Sequence, residues 1–419
     1  MEMRVKRSGI ILKPDQTKVI LKPFEPVDKS RIPKIINRIL DLTQNDVIKE
    51  YDNVKKLYLS RHKRMERFYE KRFEAVKKYH SGLESVSNER QLLIGAYFSN
   101  EYSLEYSALF NPSMVWHPDQ TDLPVGKKRF IVSLRATGEG HISSLVFRSG
   151  TIDEQNNIEI DKLSRFVEMP EIKMLEENLY EAHFNSEDNI AERSLFPQLL
   201  SESNGIEDAR FVEFVNEKNE KVYFATYCAY DGHNISTQLL QTKDFLKFKI
   251  GKLKGNEIQN KGMALFPRKI GSKYVMLSRQ DNENNFIMFS DDVYKWESKQ
   301  LLMEPEYPWE FFQIGNCGSP IETEKGWLCL SHGVGATRKY VIGAFLLDKN
   351  DPTKLIGRLK EPLLEPNEME REGYVPHVVY SCGGVINGKD LVFPYAMSDY
   401  ASSFASVDLN ELLDKIING

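Results

Sequence analysis

Five stretches of this 419-residue chain repeat one design: an apolar strand, a tight polar turn, then an aromatic-rich strand ending abruptly in ionisable or hydroxyl-bearing residues. They run from Asn111 to Arg135, Phe211 to Asp231, Ala264 to Arg279, Ser319 to His332 and Val378 to Asp399. The later starts lie roughly 50 to 60 residues apart, a spacing that suits β-propeller blades and is too long for helical solenoid repeats. Strands folded radially about one axis bring their ends together there. The repeat therefore predicts an all-β, five-bladed propeller that gathers Arg135, Asp231, Arg279, His332 and Asp399 around one pocket.

Composition sets few further limits. The 41% hydrophobic content is ordinary for a globular chain, and 56 basic against 61 acidic residues leave a net charge of −5. No basic excess points to nucleic acid. The amino terminus, Met1 to Arg7, lacks the apolar stretch of a signal peptide, and no run is long enough to span a bilayer. Cys228, Cys317, Cys329 and Cys382 are scattered without CxxC spacing among apolar neighbours. Reduced, buried thiols in a cytoplasmic protein are the simplest expectation.

Residues 28–82 differ from the rest. Ile32, Ile35, Ile36 and Ile39, then Val47, Tyr51, Val54 and Tyr58, recur at three- and four-residue spacing, which predicts amphipathic helices. Thr43 followed by Asp46 predicts a helix start between them. The expected division is a helical N-terminal extension over 1–90 and the propeller over 91–419. Such an extension would pack on the propeller or make a homo-oligomer. The stretch 150–205 is long for an interblade connection, and a helical pattern over Glu171 to His183 predicts a rim insertion overhanging the pocket.

Several short motifs fall in a fixed order: Glu207-Asp208-Ala209-Arg210, Lys261 to Pro267, Ile314 to Ile321 with Gly326-Trp327, Ser331 to Val334, and Gly343 to Asp348 with Asp351-Pro352. In this order they resemble glycoside hydrolase family 130, the mannoside phosphorylases and mannosidases built on a five-bladed propeller. The resemblance covers Asn111 to Asp399. It implies that Asp208 is the sole protein acid of an inverting reaction, protonating the leaving oxygen through a sugar hydroxyl. It also implies inorganic phosphate as co-substrate, held by Lys261, Arg279, His332 and Tyr340. Phosphate is an anion that needs converging cations and donors. Asn111, Arg135 and Asp399 match positions that hold the hydroxyls of the cleaved sugar, and Glu207 is counted with them as substrate-binding.

The chain departs from the family pattern at three places. Gln313 stands where many phosphorylases have Lys, which removes one cation from the phosphate cradle. Asn111 is followed by Pro112 instead of Ser, and His377 replaces an Asn before Val378. Retained Lys261 and Arg279 favour α-mannose 1-phosphate as product. The alternatives are an inverting β-mannosidase using water at the same site and a non-catalytic carbohydrate-binding propeller.

Among the aromatics, Trp116, Tyr227, Tyr230, Trp309 and Tyr374 are candidates for sugar stacking, although propeller aromatics mostly fill the core, as Trp327 is expected to do. The eight histidines show no paired ligand spacing, so no metal is expected. Thr137 to Gly140 lacks the adjoining helix of a phosphate-binding loop, and no nucleotide cofactor is implied.

Overall fold

The computed structural model describes residues 3–419, which form two compact bodies. The smaller consists of Asp15–Glu105 with Ser164–Glu168. Four helices, Arg31–Leu40, Gln44–Tyr58, Met65–Lys77 and Asn88–Tyr97, accompany an antiparallel strand pair of Val19–Pro23 against Ser99–Ser103. Ile32, Ile36, Ile39 and Val47 pack there with Phe73, Val76, Leu93 and Ile94, the face that the three- and four-residue spacing predicts. Thr43 caps the second helix, its hydroxyl accepting from the Asp46 amide at 3.2 Å. No helix among the described residues is long and apolar enough to cross a membrane.

The larger body is mostly β and contains all five sequence repeats. In the first, Ala108–Trp116 pairs with Lys128–Thr137 and that strand with Ser143–Ile152. The second runs Gly205–Val215, Lys221–Tyr230, Ile235–Thr242 and Lys247–Lys252. The third runs Lys261–Leu265, Tyr274–Arg279, Asn285–Ser290 and Lys299–Met303. The fourth runs Gln313–Asn316, Trp327–Val334, Tyr340–Leu347 and Leu355–Arg358. In the fifth, Val379–Tyr380, Asp390–Met397 and Ala401–Asp408 are completed by Lys6–Arg7, which pairs with Ala405 and Ser406. Thus residues 3–14 belong to the β body although they precede the helices.

Backbone hydrogen bonds link each repeat to the next. Gly205 bridges Ser143, the Val215 amide donates to Pro267, Ile314 to Glu283, and Tyr340 to His377. The fifth then returns to the first, with Cys382 donating to Pro112 and Met114 to Gly383. Residues from every repeat line a common cavity of about 370 Å³, among them Met114, Phe211, Pro267, Ser319 and Val385. Buried apolar clusters fill the space between neighbouring sheets, including Phe147 with Phe211 and Phe266 with Trp327. All four cysteines are buried and unbridged.

The helical expectation for Glu171 to His183 is wrong. Glu171–Glu176 and Leu179–His183 are antiparallel strands that extend the outer edge of the second repeat against Lys247–Lys252. Leu, Met and Glu in this stretch read as helix formers, but burial of alternate residues Tyr180 and Ala182 against the neighbouring sheet decides the outcome.

Candidate active site

The first strands of three repeats are interrupted at the same point. In the first repeat Phe110 pairs with Arg135 and Ser113 with Ser133, leaving Asn111 and Pro112 outside the ladder. The second leaves out Asp208 and Ala209 between the Glu207–Cys228 and Arg210–Thr226 pairs. The third leaves out Gly262 and Met263 between Lys261–Arg279 and Ala264–Leu277. Each bulge begins with a residue in the left-handed region: Asn111 at φ 47°, Asp208 at 56° and Gly262 at 90°. Glycine adopts this conformation freely, and Asn and Asp tolerate it best among the other residues. The bulge re-aims a side chain that the strand would otherwise place by simple alternation.

Around Asp208 the predicted residues form one hydrogen-bonded group. Arg135 Nη2 donates to Glu207 Oε1 at 2.7 Å, and Lys261 Nζ donates to Glu207 Oε2 at 2.7 Å. Asn111 Nδ2 donates to Asp208 Oδ1 at 2.6 Å, with Arg135 Nη1 at 3.4 Å from the same oxygen. Arg135 is itself braced by Ser143 Oγ at 2.8 Å and by the Phe110 ring beneath its guanidinium. Burial alone would push the Asp208 pKa up. The charges of Arg135, Lys261 and Arg210, with the Asn111 bond, outweigh burial and hold it at about 2. Burial lowers the Lys261 pKa, but Asp208, Cys228 and Glu207 outweigh it and keep the ammonium charged.

A second group faces different company. Arg279 lies directly across the strand pair from Lys261, and its Nη1 is 3.5 Å from His332 Nε2. Gln313 Nε2 reaches the same imidazole nitrogen at 3.3 Å. Arg279 is buried, its Nε has no hydrogen-bonding partner, and it makes no ion pair among the described residues. Burial pulls its pKa below the usual guanidinium value. His332 is 1% exposed, and burial followed by the charges of Arg279 and Arg210 keeps its imidazole neutral. The Tyr340 ring stacks on His332 at 6.1 Å. Gly315 makes this arrangement possible, because a Cβ there would stand 2.4 Å from His332 Cε1 and 3.1 Å from Arg279 Cδ.

Asp399 completes the set through charge. It sits at φ 49° after Ser398 at 47°, whose hydroxyl donates to the Glu370 carbonyl at 2.7 Å. Burial, opposed by Arg135 and reinforced by Asp208, raises the Asp399 pKa to about 6. Asp231 does not join. Its carboxylate caps the amides of His233 and Asn234 within its own turn, and Cys228 occupies the position equivalent to Arg135 and Arg279. Of the aromatic candidates, Tyr227 is buried against Glu202, whereas Tyr374 is 69% exposed and packs on His141. Trp327 is fully buried, as its apolar surroundings predict.

Three residues acquire roles that their sequence neighbours do not advertise. Arg210 reaches the Asp208 carbonyl, the Cys317 carbonyl and the Tyr380 hydroxyl, at 3.0, 3.0 and 2.8 Å. Tyr380 lies 4.9 Å from the His332 ring and so links the two groups. Gln313, notable in sequence only as a missing lysine, is a direct neighbour of His332. A Tyr following two valines carries no signal of this kind.

Two adjacent buried acids ringed by cations, next to a cation without a counter-charge, on a mostly β body, are the equipment of a carbohydrate-active enzyme. The chain belongs to glycoside hydrolase family 130: a family model described as β-1,4-mannooligosaccharide phosphorylase matches residues 171–417. A 1,2-β-oligomannan phosphorylase of Thermoanaerobacter sp. (strain X514) is 34% identical over 218 residues, half of this chain and 71% of that relative. Among solved structures, the β-1,2-mannobiose phosphorylase of Listeria innocua superposes with a TM-score of 0.56 at 22% identity, over 75% of this chain and 93% of that one. Another, from work on hydrolases of this family that target β-1,2 mannosidic linkages in Candida mannan, gives 0.54 at 22%, covering 74% and 87%.

Proposed function

We propose that this chain is an inverting phosphorylase of β-linked mannosides, built on a five-bladed β-propeller, that releases α-mannose 1-phosphate. The ring of interrepeat hydrogen bonds and the cavity lined by residues of all five repeats support the propeller. The observation that carries the chemistry is Arg279, a buried guanidinium without a carboxylate, opposite Lys261 and beside a neutral imidazole. A buried cation left unpaired is costly, and an incoming anion relieves it.

The residues divide the work. Asn111, Arg135, Glu207 and Asp399 hold sugar hydroxyls, and Lys261, Arg279, His332 and Tyr340 hold phosphate. Phosphate oxygen forms a bond to the anomeric carbon as the glycosidic C–O bond breaks on the opposite face. Asp208 supplies the proton to the leaving oxygen, and the proton released by hydrogenphosphate balances it. Without ligand the surrounding cations hold Asp208 as carboxylate. A bound phosphate dianion offsets Lys261 and Arg279, raises the Asp208 pKa and so readies the acid for its task. Glu207 is tied to two cations and is poorly placed to activate water.

Incubation with β-mannobiose, with and without phosphate, tests this reading. Phosphorus NMR is expected to show α-mannose 1-phosphate, with no cleavage when phosphate is withheld. Equal release of free mannose in both would establish instead a β-mannosidase, although Gln313 offers no glutamate to activate water and Lys261 and Arg279 are retained. We place the enzyme in the cytoplasm, a location supported by its four unbridged thiols.

A further inference from the structure

We propose that Arg210 is the positioning residue that holds Asp208 in its left-handed backbone conformation; the inference rests on Asp208 being the proton donor. The bulge removes Asp208 and Ala209 from the strand ladder, so pairing does not fix the Asp208 peptide. Its carbonyl instead accepts from Arg210 Nη1 at 3.0 Å. The other two arms of the same guanidinium end on the Cys317 carbonyl, in the fourth repeat, and on the Tyr380 hydroxyl, in the fifth. One planar fork therefore references the acid's backbone to two other parts of the site.

The repeats themselves supply the control. The residue following the bulge is Ser113 in the first, Arg210 in the second and Ala264 in the third. In the third repeat the left-handed residue is Gly262, which needs no anchor. An Asp in that conformation carries strain and persists only where its surroundings over-determine it. In the first repeat Asn111 is also left-handed, but there the bulge is held by the Cys382 amide donating to the Pro112 carbonyl, so the anchoring arginine is confined to the repeat that carries the acid. Arg210 is 2% exposed, and none of its three acceptors is a carboxylate oxygen. A guanidinium in this setting also keeps its charge beside the Asp208 carboxylate.

The test is Arg210→Lys, which keeps the charge but cannot reproduce a three-armed fork. Phosphate-dependent release of mannose 1-phosphate is expected to show kcat reduced about 100-fold, with KM for mannoside and phosphate changed by less than about threefold. A crystal structure of the variant is expected to show Asp208 out of the left-handed region and its bond from Asn111 broken. Full kcat, or an Asp208 unmoved in the crystal, overturns the proposal. Should Arg210→Lys fail to fold, Tyr380→Phe removes one acceptor only and is expected to lower kcat about 10-fold at unchanged KM, while unchanged kcat there counts against the anchor. If the unaltered chain releases no mannose 1-phosphate, the phosphorylase reading fails, and the crystallographic comparison still decides whether Arg210 sets the Asp208 backbone.

Discussion

The two halves of the site are built to opposite standards. On the proposed sugar side, Asn111 and Arg135 meet Asp208 and Glu207 through contacts of 2.6 and 2.7 Å, with Arg135 to Asp208 longer at 3.4 Å. On the proposed phosphate side, Lys261 is held by Glu207 at 2.7 Å, but Arg279 and Gln313 reach His332 only at 3.5 and 3.3 Å, and Arg279 Nε has no partner. A sugar hydroxyl is a modest ligand and is best met by groups already fixed in place. A dianion brings its own strong acceptors, so the groups awaiting it can stay under-satisfied until it arrives.

Removing the acid is the strongest way to break this contrast. Asp208→Asn is expected to lower kcat by about 10³-fold, within the range for loss of a general acid, while calorimetry still detects mannoside binding. Retained turnover would take Asp208 out of the mechanism. Next comes Arg279→Gln, expected to raise the phosphate KM about 30-fold and leave the mannoside KM within about twofold, because it disturbs only the under-satisfied side. Equal changes in both constants would erase the distinction between the halves. Gly315→Ala should act more mildly, raising the phosphate KM about fivefold as its methyl displaces His332 and Arg279.

The smallest effect concerns pH. Asp399 has its folded pKa raised from 3.8 to about 6. The folded state therefore binds more protons than the unfolded one between these values, and the stability contributed by protonated Asp399 is lost as pH rises from about 4 through 6. Thermal melting of Asp399→Asn is expected to lack that component of the fall. Asp208 works the other way: its depressed pKa contributes stability above about 4 that disappears as pH drops toward 2. A melting profile unchanged by Asp399→Asn would show that the partly buried Asp399 carboxyl is not shifted toward its neutral form.

The strands of the five repeats are legible because alternation and polar turns report which face is buried, and the residue motifs report the chemistry. What escapes is backbone conformation. Nothing in Asn111-Pro112 or Asp208-Ala209 announces a left-handed bulge, since Asn and Asp fit many turns equally well. Counting to the end of the second repeat reaches Asp231, three residues past Cys228, because the terminal polar residue there belongs to the connecting turn. The stretch from Glu171 misleads for another reason: strand pairing with Lys247–Lys252 overrides local helix preference. Arg210 is visible as a letter of a motif, but its three acceptors come from residues 208, 317 and 380, and only the folded chain joins them.

The edge strand at Lys6 and Arg7 has a consequence for how this molecule is assembled. Its partners, Ala405 and Ser406, lie about 400 residues further along the chain, so this pairing closes a very long loop and is among the slowest contacts for folding to make.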